Sequence, residues 1–296
     1  MTRCGLVAVV GAPNAGKSTL VNALVGQKVA IVSAKAQTTR TRIMGIAIEG
    51  AAQILLLDTP GIFQPKRRLD RAMVAAAWGG TADADVIVLV IDAETGFSRR
   101  IEEMVERLGE RPEPKLLVLN KVDLIRKDAL LGLAAAFAER VAFEEIFMVS
   151  AASGDGVADL KAWLGRRVPE GPWHFPEDQV SDATDRMLAA EITREQIYHQ
   201  LHQELPYASA VETERFEERR DGSVAIHQQI LVGRDTQKAI VLGKGGARLK
   251  AIGLAAREAI GEHLGRKVHL FLHVKVDPRW DEDRSLYRDI GLEWAE

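Results

Sequence analysis

The sequence predicts an α/β chain in which a mostly parallel, six-stranded, doubly wound sheet is followed by a smaller α+β domain. Three observations carry that reading. Short Val/Ile/Leu runs alternate with helix-patterned segments as far as about Val168. The first run leads into the glycine-rich turn "GAPNAGKS" at positions 11–18. A proline-bearing break, "RRVPEGPWHFPEDQVSD", then separates this region from one with a different order of elements. At 296 residues the chain exceeds one ordinary domain of roughly 100–200 residues, so two cores are expected.

Six segments read as strands: "GLVAVV", "RIMGIAI", "AQILLLD", "DVIVLVID", "KLLVLN" and "EIFMVS". Near-continuous apolar strands imply a sheet covered on both faces. Helical periodicity falls at Ser18–Val25, Ile101–Leu108, Asp128–Val141 and Val157–Leu164. In such a fold ligands bind at the carboxyl ends of the strands. The stretch "AIEGAAQ" is too short for a crossover helix, so the second and third strands should form an antiparallel hairpin. The first domain therefore spans 1–170, and Pro169, Gly171, Pro172 and Pro176 mark a linker over 171–181. In the second domain, 182–296, Asp182 is the expected cap of a helix running to about Glu204 and ended by Pro206. Leu188, Ile192, Tyr198 and Leu201 are among its apolar positions. Strands "SAVETERFEE" and "SVAIHQQILVG" follow around an Arg-Asp-Gly turn, then "KAIVLG" as a third strand. A glycine loop, a helix over Ala247–Leu264 and the strand "KVHLFLHVKV" come next, with no internal repeat.

Composition narrows the functional classes. Apolar residues at 47% and charged residues at 27% are globular proportions. A net charge of −3 gives no overall pull toward nucleic acid or anionic lipid, so any such binding needs a local patch. Cys4 stands alone, which excludes an intramolecular disulfide and a Cys/His zinc cluster and fits a reducing, cytoplasmic setting. The apolar run near the start is too short for a signal peptide and ends in the glycine loop, so it reads as a buried strand. No apolar stretch approaches the ~18 residues of a spanning helix.

Residues Gly11, Ala12, Pro13, Asn14, Ala15, Gly16, Lys17 and Ser18 match G-x-x-x-x-G-K-S between a strand and a helix. Glycines let backbone N–H groups curl around phosphates, Lys17 adds charge beside the β and γ groups, and Ser18 offers a hydroxyl to Mg²⁺. The motif alone does not choose between ATP and GTP. Asn120, Lys121 and Asp123 of "NKVD" decide for guanine, because a carboxylate there accepts from guanine N1–H and its exocyclic amine, whereas adenine has an acceptor at N1 and no amine at that position. A metabolic P-loop kinase would have no use for that motif. Asp58, Thr59, Pro60 and Gly61 form "DTPG", placed to organise Mg²⁺ and meet the γ-phosphate. Thr38 or Thr39 offers a second hydroxyl to the metal, and Ser150 and Ala151 in "VSA" can back the base. Lys17, Thr39 and Gly61 are the candidate catalytic groups. Ile62 stands where a water-orienting glutamine is found in many regulatory GTPases, so slow intrinsic turnover is expected.

The loop Gly243-Lys244-Gly245-Gly246 lacks the lysine-serine pair of a second nucleotide site and matches the GXXG loop of KH domains, which clamps about four nucleotides of single-stranded RNA. Lys244, Arg248 and Lys250 supply the local positive charge. A plain glycine cap between two elements is the alternative.

Together these motifs resemble the translation-factor-related GTPases. The chain as a whole, from the strand before Gly11 to about Gly291, resembles the Era family of bacterial GTPases with a type II KH domain. "KAQTTRTR", "DTPG", "NKVD", "HFPED", "ELPY" and the GXXG loop carry the likeness. It implies a Mg²⁺-dependent switch that hydrolyses GTP to GDP, binds 16S rRNA near its 3′ end and assists maturation of the 30S ribosomal subunit, as a cytoplasmic monomer. It also implies a peripheral association with the inner membrane, for which the sequence offers no basic amphipathic helix. In related GTPases an asparagine at the position of Asn14 helps bind K⁺; here that reading stands beside a structural role in the loop. The rival to RNA binding is a second domain that docks a protein or a membrane surface.

Overall fold

The protein is described by a computed structural model, and its described residues are 1–33, 39–40, 43–63, 65, 68–201, 205–284, 287 and 292–294. Packing divides the chain into two units. The first takes Met1–Ala30 and Thr39–Asp182, the second Ile31–Thr38 and Ala183–Trp294.

The first unit runs β1 (Arg3–Gly11), α1 (Lys17–Val25), β2 (Ile43–Glu49), β3 (Ala52–Asp58), α2 (Arg68–Gly79), β4 (Val86–Asp92), α3 (Arg99–Gly109), β5 (Lys115–Asn120), α4 (Lys127–Ala138), β6 (Glu145–Met148) and α5 (Val157–Arg167). Its sheet has the order β2-β3-β1-β4-β5-β6, parallel throughout except for the β2/β3 pair. That exception follows from length, since Gly50 and Ala51 alone join the two strands.

Alternation along β4 builds both cores. Val86, Val88 and Val90 face the layer of α1 and α5, while Ile87, Leu89 and Ile91 face that of α3 and α4. Each such side chain, fully buried, contributes about 1.5–3 kcal/mol. Reading the sequence alone leaves no helix between β3 and β4, yet α2 lies there. Its buried stripe of Leu69, Ala72, Met73 and Ala77 has helical spacing but is half alanine, so apolar contrast is weak.

The proline-bearing stretch is docked against this unit. Trp173 and Phe175 pack on Cys4, Ile46 and Leu55, and Trp173 Nε1 donates to the Ala51 carbonyl at 3.0 Å. Buried Gln53 holds the chain there: its Oε1 accepts from the His174 and Phe175 N–H groups at 2.8 and 3.0 Å, and its Nε2 donates to the Phe175 carbonyl at 2.8 Å.

The second unit runs α6 (Asp185–Gln200), β7 (Ser209–Glu218), β8 (Val224–Val232), α7 (Asp235–Leu242), α8 (Ala247–Leu264) and β9 (Val268–Val276). The sheet order is β7-β8-β9, antiparallel then parallel. Three expectations are corrected. Thr184 caps α6, its hydroxyl accepting from the Met187 N–H at 3.3 Å, whereas the Asp182 carboxylate accepts from the Met44 N–H at 2.9 Å. The α6 helix ends at Gln200, and residues 202–204 of the expected helix lie outside the described residues. The "KAIVLG" strand is instead the end of helix α7, where the Gly243 N–H reaches back to the Ala239 carbonyl at 2.9 Å. A four-residue apolar run does not distinguish strand from helix, and only Val241 of this helix is buried.

Candidate GTP site and nucleic-acid loop

The phosphate loop leaves β1 at Gly11 and enters α1 at Lys17. Asn14 has φ 64, a left-handed conformation that asparagine tolerates better than most residues. Gly16 has φ 91, and a Cβ there would lie 2.2 Å from Asn120 Nδ2. Only glycine fits, and the space it leaves is used. Asn120 donates to the Ala15 carbonyl at 2.9 Å and accepts from the Ala151 N–H at 3.0 Å. One buried amide thus joins the phosphate loop, the NKVD loop and the "VSA" turn, three segments far apart in sequence.

Lys17 is buried, its ammonium donating to the carbonyls of Gly11 and Ala12 at 3.2 and 3.0 Å. Burial pushes its pKa down to about 8, partly opposed by the Asp58 carboxylate. Ser18 Oγ lies 2.7 Å from Asp58 Oδ2 and 2.8 Å from Thr39 Oγ1, and Thr39 Oγ1 lies 3.2 Å from the same carboxylate oxygen. Two hydroxyls and a carboxylate gathered in this way are a hard-oxygen donor set that suits Mg²⁺. Thr39 rather than any other described threonine completes it; Thr38 lies outside the described residues.

The "DTPG" loop presses on the phosphate loop. Gly61 lies against Pro13, with a Cβ at Gly61 2.8 Å from the Pro13 nitrogen, and the Ile62 N–H donates to the Gly11 carbonyl at 3.0 Å. The Thr59 hydroxyl turns away to the Val9 carbonyl at 2.7 Å, so its side chain braces the loop. Pro60 is buried within it, as are Ser150 and Ala151 in theirs. Asp123 is exposed. Lys121 has φ 63 and pairs with Asp92 at 2.5 Å. Asp92 escaped the motif reading; its one sequence signal is that it ends a strand at the carboxyl edge of the sheet.

In the second unit Gly243, Gly245 and Gly246 all have positive φ, at 70, 60 and 78. A Cβ on Gly243 would sit 2.8 Å from that of Arg248, so the turn into α8 requires glycine. Lys244 and Lys250 are exposed, and the Arg248 guanidinium is held on the Ile240 carbonyl at 2.9 Å. An open depression of about 500 Å³ borders the loop, with His199 and Gln200 of α6 on its far wall, two residues that no motif pointed to.

A family model described as 50S ribosome-binding GTPase matches residues 6–121, and a KH domain model matches residues 204–281. The GTPase Era of Erythrobacter litoralis is 58% identical over 299 residues, covering 100% of this chain and 98% of that protein. The chain belongs to the Era family of GTPases. Era of Rhizobium meliloti is 59% identical over 99% of this chain and 94% of its own. A crystal structure of Era with MgGDPNP and nucleotides 1506–1542 of 16S ribosomal RNA matches with a TM-score of 0.93 at 39% identity, over 98% of this chain and 99% of that one. Era from Aquifex aeolicus bound to GDP and aluminium fluoride matches with a TM-score of 0.92 at 38% identity, with the same coverage. The Era fold therefore accounts for both units, a P-loop GTPase sheet followed by a KH domain.

Proposed function

We propose that this protein is a GTP-hydrolysing switch that binds 16S rRNA near its 3′ end through the Gly243–Gly246 loop and assists maturation of the 30S subunit. The observation that carries the guanine half is Asn120, whose amide ties phosphate loop to base loop. The RNA half is supported by the glycine turn with exposed Lys244 and Lys250 beside it, and by the rRNA bound to the similar Era.

In this reading the 11–18 loop wraps the phosphates and Lys17 places its charge beside them. Ser18, Thr39 and Asp58 would hold Mg²⁺, which would supply positive charge to neutralise the phosphates. Gly61 offers its N–H to the γ-phosphate. Buried Ile62 orients no water, which keeps turnover slow until a partner or a cation assists. Potassium at Asn14 is one such aid, tested by comparing rates in K⁺ and Na⁺; equal rates leave Asn14 with its backbone role. Among the described residues no helix is long and apolar enough to cross a membrane. We place the work in the cytoplasm, by a monomer.

The test of the base site is Asp123→Asn. An amide at this position pairs with the 2-oxo group of xanthine, so the variant should lose GTP affinity and gain xanthosine triphosphate affinity in parallel titrations. A retained guanine preference overturns the assignment.

A further inference from the structure

The sheet of the second unit has two faces, and the helices cover one of them. Even-numbered residues of β8 and β9, among them Ile226, Ile230, Val268 and Val274, pack with Ile192 and Ile252 of the helices. Odd-numbered residues therefore point the other way. On that outer side Arg215, His227 and Phe271 lie in one cross-strand row, because His227 is in register with Arg215 of β7 and with Phe271 of β9. The His227 and Phe271 rings stack, with 4.5 Å between centroids and 16° between planes. Phe271 is nevertheless 47% exposed. Since β9 ends the sheet, no strand stands against the far side of its ring.

The surrounding residues suit a nucleic acid better than a protein. His269 and His273 flank Phe271 on the same strand and side, so three of the chain's seven histidines gather here. Arg215 and Lys275 are exposed and make no hydrogen bond or ion pair among the described residues. Two carboxylates on this side are engaged: Glu214 faces His273 Nδ1 at 3.7 Å, and Glu212 accepts from Gln229 Nε2 at 2.5 Å. Glu217, in the row of Ala225, stays open, so the face is only weakly basic. Its aliphatic side chains, Ala225 and Leu231, are buried, which leaves no apolar core for a protein interface. Planar rings with modest charge around them favour base stacking over a dense set of phosphate contacts.

We propose that this outer face is a second contact for single-stranded RNA, a platform on which an unpaired base stacks against the open side of Phe271. His227 backs the ring, so little side-chain freedom is lost when a base arrives. Arg215 and Lys275 supply positive charge for the flanking phosphates. Every base has a stacking face, so the platform takes unpaired RNA with little regard to sequence. It is separate from the Gly243–Gly246 loop, which joins α7 to α8 among the helices, and it does not rest on the reading of that loop.

The test titrates the full chain with oligoadenylates of about 4 and about 15 nucleotides, the shorter matching what a GXXG loop clamps. Phe271→Ala should bind the longer probe about tenfold more weakly and the shorter one as the parent protein does. Because stacking carries the contact, this loss should be the same at low and high salt, unlike that of Lys244→Asp with Gly245→Asp. Phe271→Trp should keep the parental affinity, and Phe271→Leu should not. On the loop variant, residual binding of the longer probe should fall again with Phe271→Ala. Parental affinity of Phe271→Ala for the longer probe overturns the proposal. So does full affinity with leucine, which marks an aliphatic docking face for a protein, and so do equal losses on both probes, which mark a distorted domain. If the loop variant keeps its hold on the shorter probe, the loop reading falls, and the platform is still decided by Phe271 and the longer one.

Discussion

Gly16 and Asn120 share one space: the asparagine amide nitrogen lies 2.2 Å from where a Cβ on the glycine would be. The two residues are 104 apart in sequence, and the absence of a side chain on one is what admits the side chain of the other. Gly16→Ala therefore strikes two loops at once. It strains a left-handed position and expels the amide from its bonds to Ala15 and Ala151. Together these cost about 2–6 kcal/mol. The variant should bind GDP at least about thirtyfold more weakly in calorimetry while circular dichroism shows the sheet intact. Parental affinity would refute the coupling of the two loops.

Buried Lys17 makes nucleotide binding pH-dependent. Its pKa of about 8 in the free protein lies below the ordinary 10.5, so between those values the unfolded chain holds more protons and the free protein gains stability as pH rises. Bound phosphates favour the charged form. Above about pH 8 binding must take up a proton, and affinity should fall by about tenfold per pH unit. Titrations from neutral to alkaline pH, in buffers of different ionisation enthalpy, read both the slope and the proton. A flat profile without proton uptake would place the charge elsewhere.

The glycine loop of the second unit is tested by Lys244→Asp with Gly245→Asp, which sets two carboxylates where an RNA backbone would pass. A Cβ on Gly245 meets nothing within 4 Å, so the strain is confined to its φ of 60 and the unit should fold. Binding of a single-stranded RNA from the 3′ end of 16S rRNA should drop sharply, and what remains should depend less on salt. GDP affinity should be as before. Undiminished RNA binding would return the loop to a plain glycine cap.

Gln53 gives a stability prediction. Gln53→Leu keeps the bulk but leaves the His174 and Phe175 N–H groups and the Phe175 carbonyl without their partner. The loss should be about 2–4 kcal/mol in urea unfolding followed by tryptophan fluorescence. No change in midpoint would mean that water takes over these bonds and that the packing of Trp173 and Phe175 suffices.

Much of this was legible in the residues themselves. The apolar strand runs specified a sheet buried on both faces because their alternation leaves no polar side, and the short "AIEGAAQ" link specified the antiparallel pair because no crossover fits it. The phosphate-loop, "DTPG" and "NKVD" motifs were readable because each needs particular side chains at fixed spacing within a few residues. Local pattern failed where contrast was low, as in alanine-rich α2, or where a short apolar run was compatible with two periods, as in "KAIVLG". The helix cap shifted from Asp182 to Thr184 because the Asp182 carboxylate found a tertiary partner in the Met44 N–H.

What the chain's own order determined, then, is the list of chemical groups and the sheet that carries them; what tertiary structure decided is which of those groups meet. Thr39 joins Ser18 and Asp58, Asn120 fills the gap at Gly16, and Gln53 turns the proline-bearing stretch from a spacer into a docked segment. Asp92 faces Lys121 only because β4 and β5 end side by side. Such contacts link residues tens to a hundred positions apart, and no short-range spacing encodes them. They arise when parallel strands bring their carboxyl ends to one edge, where unpaired backbone and polar side chains must find partners with each other or with a ligand.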